Sequence, residues 1–221
     1  MLLKVPFYIQ GINECGPAAL QMVLEFFGEE HNREKIKKLV ESESTGATWT
    51  TGLAKTAAQL GFKTEFYSKS LGFNPENFDL EYYQRETDGA ETAEIKIKKL
   101  QAECIKYKVK MEEREISIKE IISKINKNCT AIVLIDWGKI KNLERYIGHF
   151  LPIVGFDEEN IYLHQPDPKD PEPNFKINKN LFDIARKSKG TDEDIIFIYR
   201  KMHYLGFEPR SKPYSFYRNF F

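Results

Sequence analysis

Cys15 sits in a run that could carry nucleophilic chemistry: Gln10-Gly11-Ile12-Asn13-Glu14-Cys15-Gly16-Pro17-Ala18-Ala19-Leu20. Apolar residues then recur at Ala19, Leu20, Val23, Phe26 and Phe27, three and four positions apart, up to Gly28. This spacing predicts a helix over about residues 16–27 with Cys15 at its N-terminus. Pro17 is tolerated in a first turn, where its missing N–H would be unpaired anyway. Unpaired amides and the helix dipole stabilise an anion, so a thiol placed there is expected to ionise below its free value. The Cys15 backbone N–H and the Gln10 side-chain amide are a candidate pair of donors to a developing oxyanion. Gly16 would keep the wall beside the sulfur low.

Such a thiol needs a base, and the chain has four histidines: His31, His149, His164 and His203. His149 opens Gly148-His149-Phe150-Leu151-Pro152-Ile153-Val154-Gly155-Phe156-Asp157, a polar residue at the mouth of an apolar run. It is the candidate partner, brought to Cys15 by the fold rather than by local sequence. His164 reads as a structural residue at a strand edge, and His31 and His203 as solvated. Cys104 and Cys129 read as small buried hydrophobes. Three cysteines without a C-x-x-C spacing indicate neither a disulfide framework nor a zinc knuckle.

Around these residues, helices are expected at about 33–41 and 52–60, then a short strand through Phe62, Thr64 and Phe66. Residues 74–115 are charged and nearly free of glycine, and read as a helical insertion built around one long helix. Ser117-Ile118-Lys119-Glu120 is a capping-box pattern opening a helix that ends near Asn126. Short β-rich runs follow at 130–135, 148–156, 161–164 and 195–199, with a helix near 179–187. Helices first and strands later give an α+β class. The expected layout is one domain: a helical part over about 1–73, the insertion over about 74–115, a β-rich part over about 116–200, and an aromatic tail over 201–221.

The combined pattern resembles a known family. Q-x4-C-G-P-A-A-L-x-M-V-L-x-F-F-G, then Thr45-Gly46, L-x3-A-x2-L-G, G-H-F-x-P-I-V-G-F-D and a following D-P are similar to bacteriocin-processing, double-glycine leader peptidases and their standalone relatives in the papain-like cysteine peptidase clan. The resemblance covers most of residues 6–70 and 130–187. It implies a papain-like fold with N-terminal helices packed on a C-terminal antiparallel sheet, Cys15 as nucleophile, His149 as base and Gln10 in the oxyanion hole. It also implies an Asp or Asn, soon after the His strand, that orients the imidazole. There the chain departs, reading Tyr162-Leu163-His164-Gln165-Pro166-Asp167-Pro168. The register favours Gln165 in that place, with Asp167 the alternative after a loop two residues longer.

Composition narrows the remaining choices. Lys+Arg 33 balances Asp+Glu 33, so no positive field gathers nucleic acid. No apolar run approaches the roughly 20 residues of a membrane span, and the start is too soon interrupted for a signal peptide, so a cytoplasmic protein is expected. The carboxylates at Asp157–Glu159 and Asp167–Asp170 read as a solvated acidic loop, and neither metal nor organic cofactor is expected. Trp49 and Trp137 read as packing residues. The aromatic tail from Tyr204 reads as self-packing or a homodimer contact. The functional expectation is a cysteine peptidase or amidohydrolase acting on a peptide or protein. The alternatives are a non-catalytic peptide-binding module with the same cleft, or a thiol-dependent acyl transferase of γ-glutamyl type.

Overall fold

The computed structural model describes residues 1–201; His203 and the aromatic tail, with the dimer contact expected of it, lie outside them. The chain runs α1 (Cys15–Phe26), α2 (Arg33–Val40), α3 (Thr50–Gln59), β1 (Lys63–Ser68), a 3-10 turn (Pro75–Asp79), α4 (Glu81–Glu86), α5 (Ala90–Lys106) and β2 (Lys110–Glu113). It continues through α6 (Ile118–Lys124), β3 (Cys129–Asp136), α7 (Trp137–Ile140), β4 (Gly148–Phe156), β5 (Asn160–Gln165), β6 (Glu172–Asn178), α8 (Lys179–Arg186) and β7 (Ile195–Tyr199). This is the expected α+β class. The strands form one seven-stranded sheet in the order β2-β1-β7-β3-β4-β5-β6.

Both faces of the sheet centre are buried, which explains why β3 and β7 read as continuous apolar runs rather than alternating ones. Successive side chains point to opposite faces. Ala131, Val133, Ile135, Ile195 and Phe197 therefore join a core with Ile121 of α6 and Phe182 of α8. Ile132, Leu134, Ile196 and Ile198 join a second core with Ile36 of α2, Leu53 and Ala57 of α3, and Cys104 of α5. Helix α1 contributes to both, Ala18 and Met22 to one and Leu20 and Val23 to the other, so it is apolar on all but the Gln21–Glu25 face and buried from Gly16 to Leu20. Each such fully buried aliphatic side chain contributes about 1.5–3 kcal/mol. Leu20 and Val23 thereby anchor the helix that begins at Cys15.

The structure adds a strand not expected from the sequence, β6, and differs in its sheet pairing and in one helix cap. The sheet is mixed rather than purely antiparallel, because β1 and β2 pair in parallel with Glu65 opposite Lys110. A parallel pair needs a crossover connection, and the charged segment 74–115 supplies it. Ala93, Ile97, Leu100 and Cys104 form the buried stripe of α5, while Ile95 and Ile105 face solvent. The segment closes with β2, whose residues Lys110-Met111-Glu112-Glu113 show no apolar alternation because it is a charged edge strand. The capping box is half made: Ser117 Oγ accepts the Glu120 N–H at 3.2 Å, but the Glu120 carboxylate turns to Arg114.

Among the described residues no helix is long and apolar enough to cross a membrane.

Candidate active site

The N-terminal segment delivers two of the candidate residues by running beside β4 and β5. Leu3 donates its N–H to the Val154 carbonyl at 2.7 Å, and Gln10 donates to Pro166 at 2.9 Å. Helix α1 then packs against β4, which carries His149 opposite Ile135 of β3. Gln10, Cys15, His149 and Asp167 consequently line one cleft of about 200 Å³. Gly46 holds the loop beneath it: its φ of +95° is left-handed, and an added Cβ would sit 3.0 Å from the Ile12 carbonyl oxygen.

Gln165 Oε1 lies 2.7 Å from His149 Nε2 and also accepts the Asp167 backbone N–H at 3.2 Å. A backbone N–H can only donate, so this atom is an acceptor and His149 Nε2 carries the proton. Nδ1 is then the unprotonated nitrogen, with a lone pair available for a proton. The Asp167 carboxylate instead accepts the Lys169 N–H at 2.8 Å. Trp137 meets the imidazole edge-on with ring centroids 5.5 Å apart. His149 is buried, and desolvation holds its pKa below the usual value despite the opposing pull of Gln165 and Asp167.

Helix geometry and burial compete at the sulfur. The first amide of α1 that closes a helical bond is Ala18, to the Glu14 carbonyl at 2.9 Å, which leaves the Cys15 and Gly16 N–H groups outside the ladder. Although Cys15 keeps some exposed surface, protein surrounds its sulfur, and burial pushes the thiol up to about 11. Hydrogen bonds from the Phe150, Gly16 and Cys15 amides pull the other way and do not win. The expected lowering at the helix start is thus overturned by desolvation. Burial therefore favours the thiol at Cys15 and the neutral imidazole at His149.

The roof that dries the cleft comes from the 74–115 segment. Tyr82 donates its hydroxyl to the Gly148 carbonyl at 3.0 Å, and burial followed by the nearby Cys15 raises its phenol well above the ordinary value. Asn13 donates to Glu86 Oε2 at 2.9 Å and to the Thr45 carbonyl at 3.0 Å, while the Thr45 hydroxyl donates to the Glu86 carbonyl at 2.7 Å. These bonds fasten α4 to the loop before α3. Sequence reasoning missed Tyr82; its one signal was a pair of tyrosines inside an otherwise charged stretch.

The other candidates fall elsewhere. His164 is buried, with Nε2 3.0 Å from the Val5 carbonyl and Nδ1 accepting the Asn174 N–H at 3.1 Å, so it clamps the N-terminal segment to the β5–β6 hairpin. His31, expected in solvent, is partly buried, with Nε2 3.3 Å from the Glu29 carboxylate. Cys104 and Cys129 are buried. Among the described residues no three acidic, histidine or cysteine side chains converge as metal ligands would.

The fold and the cleft define a papain-like cysteine peptidase architecture. Two solved structures share it: a C39-like peptidase of Bacillus anthracis (13% identity, 92% of this chain and 98% of that one, TM-score 0.57) and the peptidase domain of Streptococcus ComA, a bi-functional ABC transporter of a quorum-sensing pathway (15% identity, 88% and 97%, TM-score 0.50). By sequence the chain belongs to the guanylylate cyclase family, whose profile matches residues 5–198. Guanylyl cyclase 1 of Arabidopsis thaliana is 28% identical over 200 residues, spanning 84% of this chain and 71% of that relative.

Proposed function

We propose that the chain is a cysteine hydrolase of peptide or amide bonds, with Cys15 as nucleophile, His149 as general base and acid, and Gln165 as the residue that positions His149. The observation that supports this most is the hydrogen bond from His149 Nε2 to Gln165 Oε1, which leaves Nδ1 as the basic nitrogen in a cleft that also holds Cys15. Because the thiol rests protonated, the proton moves from Sγ to His149 Nδ1 as sulfur attacks the carbonyl carbon. The Cys15 N–H and the Gln10 amide receive the oxyanion. The C–N bond then breaks, the departing amine takes the proton from Nδ1, and a thioester remains. Water, deprotonated by the same nitrogen, attacks the thioester and restores the thiol and a carboxylic acid.

The name of the family carries a different activity, cyclisation of GTP. A triphosphate needs cations around it, and the cleft lining holds one arginine, Arg85, against Glu43, Glu86, Asp167, Asp192 and Asp194. The charge of the cleft therefore favours amide chemistry. The deciding experiment incubates the protein and its Cys15→Ala variant with a mixed peptide library and, separately, with GTP, followed by mass spectrometry. Cleaved peptides that depend on Cys15, through a trapped thioester, are the expected result. Peptide binding without turnover would leave the binding-module reading, amine-dependent products the transferase, and cyclic GMP formation that survives Cys15→Ala would overturn the proposal.

A further inference from the structure

The cleft continues away from Cys15 along the start of α3. A Cβ placed on Gly16 would lie 3.3 Å from Thr48 Cβ and 3.4 Å from the Leu53 methyls, so this part of the chain abuts the nucleophile's own helix turn. Glu43, Asn77, Asp192 and Asp194 line the cleft there, and the mechanism above uses none of them.

Their hydrogen bonding is incomplete in one consistent direction. Glu43 Oε1 accepts Trp49 Nε1 at 2.6 Å and Lys96 Nζ at 2.9 Å, leaving Oε2 buried with no partner. Asn77 gives its amide N–H to Asp192 at 2.7 Å, leaving Oδ1 buried with no partner. Asp194 takes the Thr50 hydroxyl on Oδ2 and has no partner for Oδ1. Glu43 and Asn77 are each only 5% exposed, so bulk water does not satisfy them. Buried acceptors without donors are costly, and a site that keeps two of them, Glu43 Oε2 and Asn77 Oδ1, beside an Asp194 carboxyl that can give up a proton, is matched to donors brought by something else.

Charge agrees with the acceptor count. The cleft lining holds five carboxyl groups and one arginine; Arg85 is paired with Glu86 and Lys96 with Glu43, which leaves Asp192 and Asp194 in this arm without a cation of the lining beside them. Among donor-bearing groups a guanidinium fits best, because its planar fork offers five N–H groups and a charge that desolvates more easily than an ammonium. We propose that this arm of the cleft is a subsite for an arginine side chain of the substrate, whose N–H groups are received by Glu43, Asn77 and Asp194 while Cys15 faces a neighbouring amide. The proposal rests on the hydrolase reading for the position of the bond that is cut. Burial and Asp192 push the Asp194 carboxyl up to about 8, which favours its protonated form, and a neighbouring cation would favour release of that proton.

Binding is measured by calorimetry on the full chain carrying Cys15→Ser, with N-benzoyl-L-arginine amide and its neutral isostere N-benzoyl-L-citrulline amide as probes. The arginine amide should bind tighter by about fivefold or more, and Asp194→Asn or Asn77→Leu should narrow that ratio. A smaller ratio on the otherwise unchanged chain overturns the subsite even if neither variant folds. So does a ratio that survives both substitutions, or GTP binding tighter than the arginine amide. Turnover and binding separate the two readings. Cys15-dependent cleavage without arginine preference removes the subsite alone, whereas arginine preference without cleavage in the parent protein removes the hydrolase alone.

Discussion

Gln10 donates its backbone N–H to the Pro166 carbonyl at 2.9 Å, and Pro166 directly follows the glutamine that holds His149. One hydrogen bond therefore joins the segment bearing the candidate oxyanion donor to the turn that aims the imidazole. The His164 ring fastens the same two segments a few residues away, through the Val5 carbonyl. Residues far apart in the sequence thus share one frame, in which Cys15 stands at the start of α1, His149 on β4 and Gln165 at the end of β5.

Gln165 is the most direct point to perturb. Gln165→Leu removes the acceptor of both His149 Nε2–H and the Asp167 N–H. Turnover should fall by about 10²-fold with little change in KM, since the base loses its fixed tautomer rather than its substrate. Gln165→Glu keeps the acceptor and adds negative charge, which raises the imidazole pKa and moves the acid limb of the pH–rate profile upward. Full activity in Gln165→Leu would show that the imidazole needs no such partner.

The Cys15 thiol makes a second test. With burial holding it at about 11, its thiolate fraction grows roughly tenfold per pH unit below that value, and iodoacetamide labelling should climb with the same slope from pH 7 to pH 10. Tyr82→Ala, which lifts part of the roof, should speed labelling at pH 8. A rate that levels off near pH 8 would mean the helix N-terminus prevails over burial after all.

Much of this site was legible in the sequence because its signals are local. The helix beginning at Cys15, its stop at Gly28 and the apolar strand behind His149 each follow from periodicity and punctuation, and the order Gln165-Pro166-Asp167 already contained the ring's partner. What was not legible depends on packing between distant segments. The charged strand β2 lacks an apolar pattern because it lies at an edge, and Tyr82 reaches Gly148 only once α4 folds over the cleft. The upward push of burial on the Cys15 thiol was not legible for the same reason, since helix position is written in the sequence but the dryness of the roof is not.

His164 provides a pH test of the frame. Its Nδ1 accepts the Asn174 N–H, so the ring must be neutral, and burial holds its pKa below the ordinary 6.5. The unfolded chain takes up that proton first, so this residue's contribution is present above about pH 6.5 and is lost as pH falls through the lower folded value. His164→Leu leaves the Val5 carbonyl and the Asn174 N–H unpaired and should cost about 1–3 kcal/mol at pH 7.5. In urea titrations the gap between parent and variant should shrink at pH 5.5. A constant gap would place the effect in packing alone.

Asp194 should act with the opposite sign. Its carboxyl is pushed up to about 8 inside the cleft, first by burial and then by Asp192, whereas in an unfolded chain it ionises near 4. The folded state therefore holds a proton that the unfolded state has released. Stability linked to this residue is intact below about pH 4 and drains away as pH rises toward 8. Asn at this position cannot ionise and can still accept the Thr50 hydroxyl, so Asp194→Asn should match the parent at pH 4 and exceed it at pH 8. Because the residue keeps some solvent access, a gain of about 1–3 kcal/mol is a reasonable scale. Denaturant midpoints of both proteins at pH 5 and pH 8 test this. A variant weaker than the parent at pH 8 would mean that the carboxylate is paired rather than stranded, and would remove the reason for expecting a cation in that arm of the cleft.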